Sequence, residues 1–201
     1  MLDDVGNAYS RRAGEYTEIL GSMNAVHPSD RQLVSCWADG IDGHIIDAGC
    51  GPGHWTNFLC KRGAAASGVD LVPEFIDRAR SAYPGVTFSV GSLETLDSAP
   101  GTVSGILSWY SLIHYGPSTI RIPLLEFACA LRPGGALLLG FFECAVIEKF
   151  AHAVVPAYGW PVSDLTDELT SAGFDVIETH ARTAIGQRPH AAIIAQRNSI
   201  R

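Results

Sequence analysis

The run from Ile45 to Thr56, IIDAGCGPGHWT, limits what this chain can fold into more than any other stretch. Two apolar residues, Ile45 and Ile46, lead into Asp47; glycines follow at 49, 51 and 53, and an amphipathic segment then begins. Three positions without side chains in five residues allow backbone angles that other residues avoid, and they leave peptide groups bare. A strand that passes through such a turn into a helix presents the free N–H groups of the helix start to anything lying on the turn. The unit is therefore strand, turn, helix, with a ligand-sized gap in the middle.

The rest of the chain repeats that step. Tyr9, Ala13, Tyr16 and Leu20 stand at helical spacing within residues 3–22, and a second helix follows Pro28, with Leu33, Val34 and Trp37 on one side and Gly40 as its stop. Strands are expected at 44–48, 66–70, 86–91, 103–111 and 136–142, with helices at 55–62, from Pro73 to before Pro84, and at 123–131. Arg-Pro-Gly-Gly, 132–135, reads as a turn into the fifth strand. Ser163 caps a helix that ends at Gly173, and 174–179 and 190–196 read as two closing strands. Alternating strands and helices imply an α/β fold with a mostly parallel sheet. Such sheets bind ligands at the carboxyl ends of their strands, near the point where strand order reverses.

At 201 residues, one domain covering 1–201 is expected. The net charge of −7, without a basic run, argues against a nucleic-acid partner, because phosphate binding rests on an excess of Lys and Arg. The five cysteines are scattered and never spaced C-x-x-C, a pattern of reduced thiols. No apolar run reaches membrane-spanning length, and MLDDVGNAYS has neither a basic region nor an apolar core. A cytoplasmic protein without a signal peptide and without a membrane partner is expected; the oligomeric state is not legible.

The glycine spacing is G-x-G-x-G, with an acid two residues before the first glycine. It resembles motif I of the class I S-adenosylmethionine-dependent methyltransferases of the small-molecule type. That resemblance implies a Rossmann-like fold, with a seven-stranded, mostly parallel sheet, an antiparallel last strand and helices on both faces. It implies S-adenosylmethionine as cofactor, S-adenosylhomocysteine as product and a small-molecule methyl acceptor as partner. It covers nearly the whole chain, with residues 1–40 as lid helices and 143–162 as an insert on the substrate side holding His152, Tyr158 and Trp160. No metal is implied.

The same resemblance distributes roles. Asp47, Gly49, Cys50, Gly51 and Gly53 would form the loop under the cofactor, with Cys50 a small filler and His54 and Trp55 at a helix start suited to a carboxylate. Trp55 equally opens an apolar stripe with Phe58 and Leu59 and reads as core. Asp70 would accept hydrogen bonds from ribose hydroxyls, and Leu71 would pack on the adenine. Ser92 stands where family members usually carry an acid for the adenine amino group, and Leu93 follows it. At the end of the fourth strand, SWYSLIHYGP brings Ser108 and Trp109 beside the methionine half, and Tyr110 towards the transfer site. His114 is the candidate general base, with Tyr16 facing the methyl group. Tyr9 and Arg12, on the YSRRAGEY segment, would close over the cofactor, Arg12 pairing with its carboxylate.

Two rival readings stay open. A dinucleotide-binding oxidoreductase would need G-x-G-x-x-G, and His54 occupies the third glycine position. A cofactor-binding module without catalysis would keep the same glycine loop and Asp70, and methyl transfer across an acceptor panel separates it from an enzyme.

Overall fold

The computed structural model describes residues 2–199. The elements in chain order are α1 (Leu2–Leu20), α2 (Pro28–Asp39), β1 (Ile45–Ala48), α3 (His54–Lys61), β2 (Ala66–Asp70), α4 (Pro73–Ala82), β3 (Thr87–Val90) and β4 (Val103–Trp109). There follow α5 (Arg121–Ala130), β5 (Leu131–Glu143), β6 (Glu148–Phe150), β7 (Ala157–Trp160), α6 (Val162–Ser171), β8 (Phe174–Arg182) and β9 (His190–Arg197). Seven strands run in the order β3-β2-β1-β4-β5-β9-β8. The first five are parallel, and β9 is antiparallel to both β5 and β8. Strand order reverses at β1, which pairs with β2 on one edge and β4 on the other.

Alternation along β1 splits the core. Ile45 joins Val34, Trp37, Trp55, Leu59, Leu107 and Leu138 under α2 and α3. Ile46 and Ala48 point the other way, into the larger cluster with Ile106, Leu137, Leu124 and Phe127 of α5 and Leu165 and Leu169 of α6. α4 packs Ile76 and Ala79 on Phe88 of β3. α1 lies across the strand ends with Ala13 against Val72 and Phe75, flanked by Tyr9 and Tyr16.

Three differences from expectation bear on the site. The insert, for which no strand was expected, adds two: β6 and β7 pair antiparallel, and β7 runs parallel to the end of β5 at Phe142 and Glu143. Because β9 already occupies one edge of Phe142, β7 takes the edge that β4 leaves after Trp109. The sheet therefore holds nine strands, seven as expected and two from the insert. Next, β4 stops at Trp109, because Tyr110 turns into the left-handed region at φ +58°, alone among the described non-glycine residues. Last, β8 runs to Arg182, three residues past the expected end. Residues 132–135 form a bulge at the start of β5, since Leu131 pairs with Val103 and Ala136 with Gly105. No helix among the described residues is long and apolar enough to cross a membrane.

Candidate active site

The glycine turn is built by two separate constraints. Gly49, Gly51 and Gly53 all have positive φ, +81°, +53° and +82°. A Cβ on Gly49 would stand 2.2 Å from the Ser111 Cβ, and one on Gly53 would stand 2.7 Å from the Phe88 ring. Gly51 differs: its added Cβ would meet nothing nearer than Tyr16 Cε1 at 4.0 Å. The backbone is thus bare towards a cavity at Gly51, while the outer two glycines are needed for packing.

Two carboxylates hold this turn. Asp70 Oδ2 accepts from the Gly51 N–H at 2.8 Å and Oδ1 from the Val72 N–H at 2.9 Å, tying the end of β2 to the loop. Burial pushes its carboxyl up, and the backbone N–H groups pull it back down. Asp47 is buried and accepts from the Thr56 hydroxyl at 2.6 Å; desolvation pushes it up to about 7.

Two chambers open at the strand ends and share Tyr9, Tyr16, Gly49, Gly51, Trp109 and Tyr110 as a common wall. The first is lined beyond these by Asp70, Leu71, Ser92, Leu93 and His114, all expected from the sequence, and by Gly6, Val72, Phe75, Ser111 and Tyr115, which were not. Val72 and Phe75 directly follow Asp70, so proximity in sequence could have found them. The Ser92 hydroxyl accepts from the Glu94 N–H at 3.1 Å and caps its own turn. The second chamber adds Asp47, Cys50, His54 and Trp55 at the glycine loop, and Asp30, Phe142, His152, Arg182 and His190 away from it in sequence.

His114 joins three elements. Its Nδ1 lies 3.0 Å from the Pro156 carbonyl and its Nε2 2.9 Å from the Tyr9 hydroxyl. A carbonyl only accepts, so Nδ1 carries the proton, Nε2 accepts, and Tyr9 donates. Burial holds the imidazole down at about 4, with His152 lowering it further against the raising effect of the carbonyl bond. His114 is therefore neutral at pH 7, but its lone pair is engaged and weakly basic. In this geometry His114 clamps α1 and the loop after β4 to the insert through both ring nitrogens. Burial also raises Tyr16, to about 12, and pushes the Tyr9 and Tyr110 hydroxyls up. The Tyr110 hydroxyl meets His190 Nδ1, a contact its positive φ makes possible.

Several expected site residues stand elsewhere. Arg12 pairs with Glu15 at 2.9 Å and donates to the Ala153 carbonyl, so it fastens α1 to the insert and lines neither chamber. Ser108 is fully buried and bonded to the Ser111 hydroxyl at 2.7 Å, supporting the wall without forming it. Gly53 is the N-cap position of α3 and is packed by Phe88. Trp55 is a core residue, 4% exposed, with one edge on the second chamber. Cys50 fills space beside Ile76, Ala79 and Phe88, and burial pushes its thiol up. In the insert, His152 reaches the second chamber, but Trp160 lies in the main core and Tyr158 packs on Gly116. His54 sits at the start of α3; burial holds it near 4, and its Nδ1 is enclosed without a partner. No group of three or more metal-ligating side chains is gathered among the described residues.

A profile described as a methyltransferase domain matches residues 45–135. The chain is 24% identical over 159 residues to the malonyl-[acyl-carrier protein] O-methyltransferase of Serratia marcescens, covering 74% of this chain and 56% of that one. It is 32% identical over 142 residues to the ubiquinone biosynthesis O-methyltransferase of Xanthomonas euvesicatoria pv. vesicatoria, covering 67% and 57%. The chain thus spans somewhat more than half the length of these curated relatives. In fold it matches a 1,6-didemethyltoxoflavin-N1-methyltransferase from Burkholderia thailandensis, solved with 1,6-didemethyltoxoflavin and S-adenosylhomocysteine bound. The TM-score is 0.77 at 20% identity, over 98% of this chain and 87% of that one. The glycine loop and the strand order agree with these likenesses: residues 45–135 match a methyltransferase domain, and the chain has the fold of the solved methyltransferase.

Proposed function

We propose that this chain moves a methyl group from S-adenosylmethionine to a small-molecule acceptor, with the nucleoside in the first chamber and the acceptor in the second. The observation that carries the reading is the shared wall: Tyr16, Trp109 and Tyr110 stand where the chambers meet, beside Gly49 and over the bare backbone of Gly51. The residues present fit the cofactor. Gly51 has open space where a Cβ would be, Asp70 retains lone pairs beyond its two backbone bonds, and His54 Nδ1 is a buried polar atom awaiting a partner. Leu71 and Leu93 offer apolar faces to an adenine, and Ser92 offers a hydroxyl.

S-adenosylmethionine, when bound, supplies a methyl group on a sulfonium, transferred by in-line displacement. The chain's own contribution is then alignment and exclusion of water. Tyr9, Tyr16 and Phe75 make a ring cluster under α1, with centroids 5.2–6.1 Å apart, that roofs the first chamber. Tyr9 and His114 hold that roof to the insert. Neither His114 nor the raised tyrosines offer a strong base at pH 7, so the site suits an acceptor atom that is already ionised or needs no deprotonation. Free thiols at Cys36 and Cys129, both exposed, support a reducing, cytoplasmic setting. The test is transfer of labelled methyl from S-adenosylmethionine across a panel of carboxylates, phenols and amines. Transfer to one class supports the enzyme; cofactor binding without transfer to any would favour the non-catalytic module.

A further inference from the structure

The second chamber contains more unmet hydrogen-bonding groups than a packed wall should. Arg182, the last residue of β8, lines it; Nη2 donates to Asp30 Oδ2 at 3.0 Å, with 22% and 18% of the two side chains exposed. The Arg182 Nε is buried and has no partner. His152 Nδ1, brought in by the segment between β6 and β7, is likewise buried and unpartnered. Buried donors without acceptors are uncommon in folded proteins, and an arginine presents its N–H groups in a rigid fork matched to an anionic oxygen. His54 Nδ1, a third such atom, stands at the glycine loop and falls to the cofactor side of the chamber.

Around these groups the wall is aromatic, built of rings tilted against one another. The Phe142 ring centroid lies 5.1 Å from Tyr110, 5.4 Å from His190 and 6.2 Å from His152. Cations stand close by although the chain carries a net charge of −7: Arg12 and Arg188 both act electrostatically on His152, and the Arg188 guanidinium lies 3.8 Å over the Phe150 ring, which itself packs on Phe142. The acids on the chamber wall are Asp30, paired with Arg182, and Asp47 at the glycine loop. Glu15 is taken by Arg12.

We propose that the acceptor is a small aromatic organic anion whose carboxylate, or comparably acidic phenol or enol oxygen, is received by the Arg182 guanidinium, with its ring against Phe142 and Tyr110. This rests on the methyltransferase reading and assigns Arg182 as the residue that sets acceptor class. Such a group arrives ionised and needs no base to free its attacking oxygen.

The experiment is titration of the full chain, first saturated with S-adenosylhomocysteine, with three probes: 4-hydroxybenzoate, 4-nitrophenolate at pH 8, and neutral 4-hydroxybenzamide. At least one anion should bind about tenfold or more tighter than the amide, the scale of one charge-assisted hydrogen bond. Which anion is favoured tells carboxylate from phenolate. Arg182→Gln should erase the preference while leaving S-adenosylhomocysteine affinity within about twofold, since Arg182 lines the second chamber and not the first. Arg182→Lys keeps the charge and can still pair with Asp30 but lacks the fork, so it should lose most of the preference too; it also serves if the glutamine variant is unstable. Equal binding of anions and amide, or full preference in the lysine variant, would overturn the assignment. Failure of S-adenosylhomocysteine itself to bind would bring down the methyltransferase reading and this inference with it.

Discussion

Alanine at Gly49 and alanine at Gly51 should fail in different ways, although the two glycines are two residues apart in one turn. Both residues have positive φ, +81° and +53°, so each substitution carries the left-handed penalty of about 1–2 kcal/mol. At Gly51 that is nearly the whole cost, because the new methyl meets only Tyr16 Cε1 at 4.0 Å. At Gly49 the methyl would stand 2.2 Å from the Ser111 Cβ and 3.0 Å from its Oγ. Ser111 must then move and give up its 2.7 Å bond to Ser108, adding about 1–3 kcal/mol of overpacking strain. At about 3 °C per kcal/mol, the middle of the range for a domain this size, Gly51→Ala should lower Tm by about 3–6 °C and Gly49→Ala by about 6–15 °C. The order reverses in calorimetric titration with S-adenosylhomocysteine. Gly51→Ala should keep its fold and lose about tenfold or more in affinity, because its methyl enters the space the nucleoside needs. Equal Tm losses, or unchanged affinity in Gly51→Ala, would refute the division of the turn into a packed outer pair and an open centre.

Burial holds His54 and His114 at about 4 against an ordinary 6.5, so each contributes stability in full above pH 6.5 and loses it as pH falls towards 4. His114→Gln should flatten the fall of Tm across that window by about 1–2 kcal/mol equivalent, allowing for its partial exposure; an unchanged slope would show that His114 is not held neutral. Asp70→Asn leaves one of the Gly51 and Val72 N–H groups facing an amide N–H, and should cost about 1–3 kcal/mol by chemical denaturation together with most S-adenosylhomocysteine affinity. Tyr9→Phe removes the donor to His114 Nε2, and hydrogen exchange across α1 should quicken by about tenfold while the sheet is unaffected; uniform protection would contradict the clamp.

Much of this was readable from local pattern. Glycine and proline mark the limits of β1, α2, β2 and α4, and the acid at 70 follows from a strand ending at the same level as the glycine turn. What spacing does not carry is the direction of a side chain just past a strand end. Ser108, inside β4, faces the core, and Tyr110 reaches His190 by a left-handed turn that nothing in its residue type announces. Arg12 sits on the correct helix but on the face that meets Glu15 and Ala153. The second chamber was the least legible part. Asp30, Arg182 and His190 come together through pairing of β8 with β9 and packing on α2, a coincidence of residues about 150 positions apart. Three further residues on β8 hid Arg182, and β6 and β7 were hidden because three- and four-residue strands leave almost no periodicity to read.

The central claim is that the glycine turn, Asp70 and the first chamber receive the adenosine of S-adenosylmethionine. Isothermal titration with S-adenosylhomocysteine, with NADH as the parallel ligand, tests it most directly. S-adenosylhomocysteine should bind with Kd on the order of micromolar, about 8 kcal/mol, and NADH should give no heat. Binding of NADH alone, or of neither ligand, would contradict it.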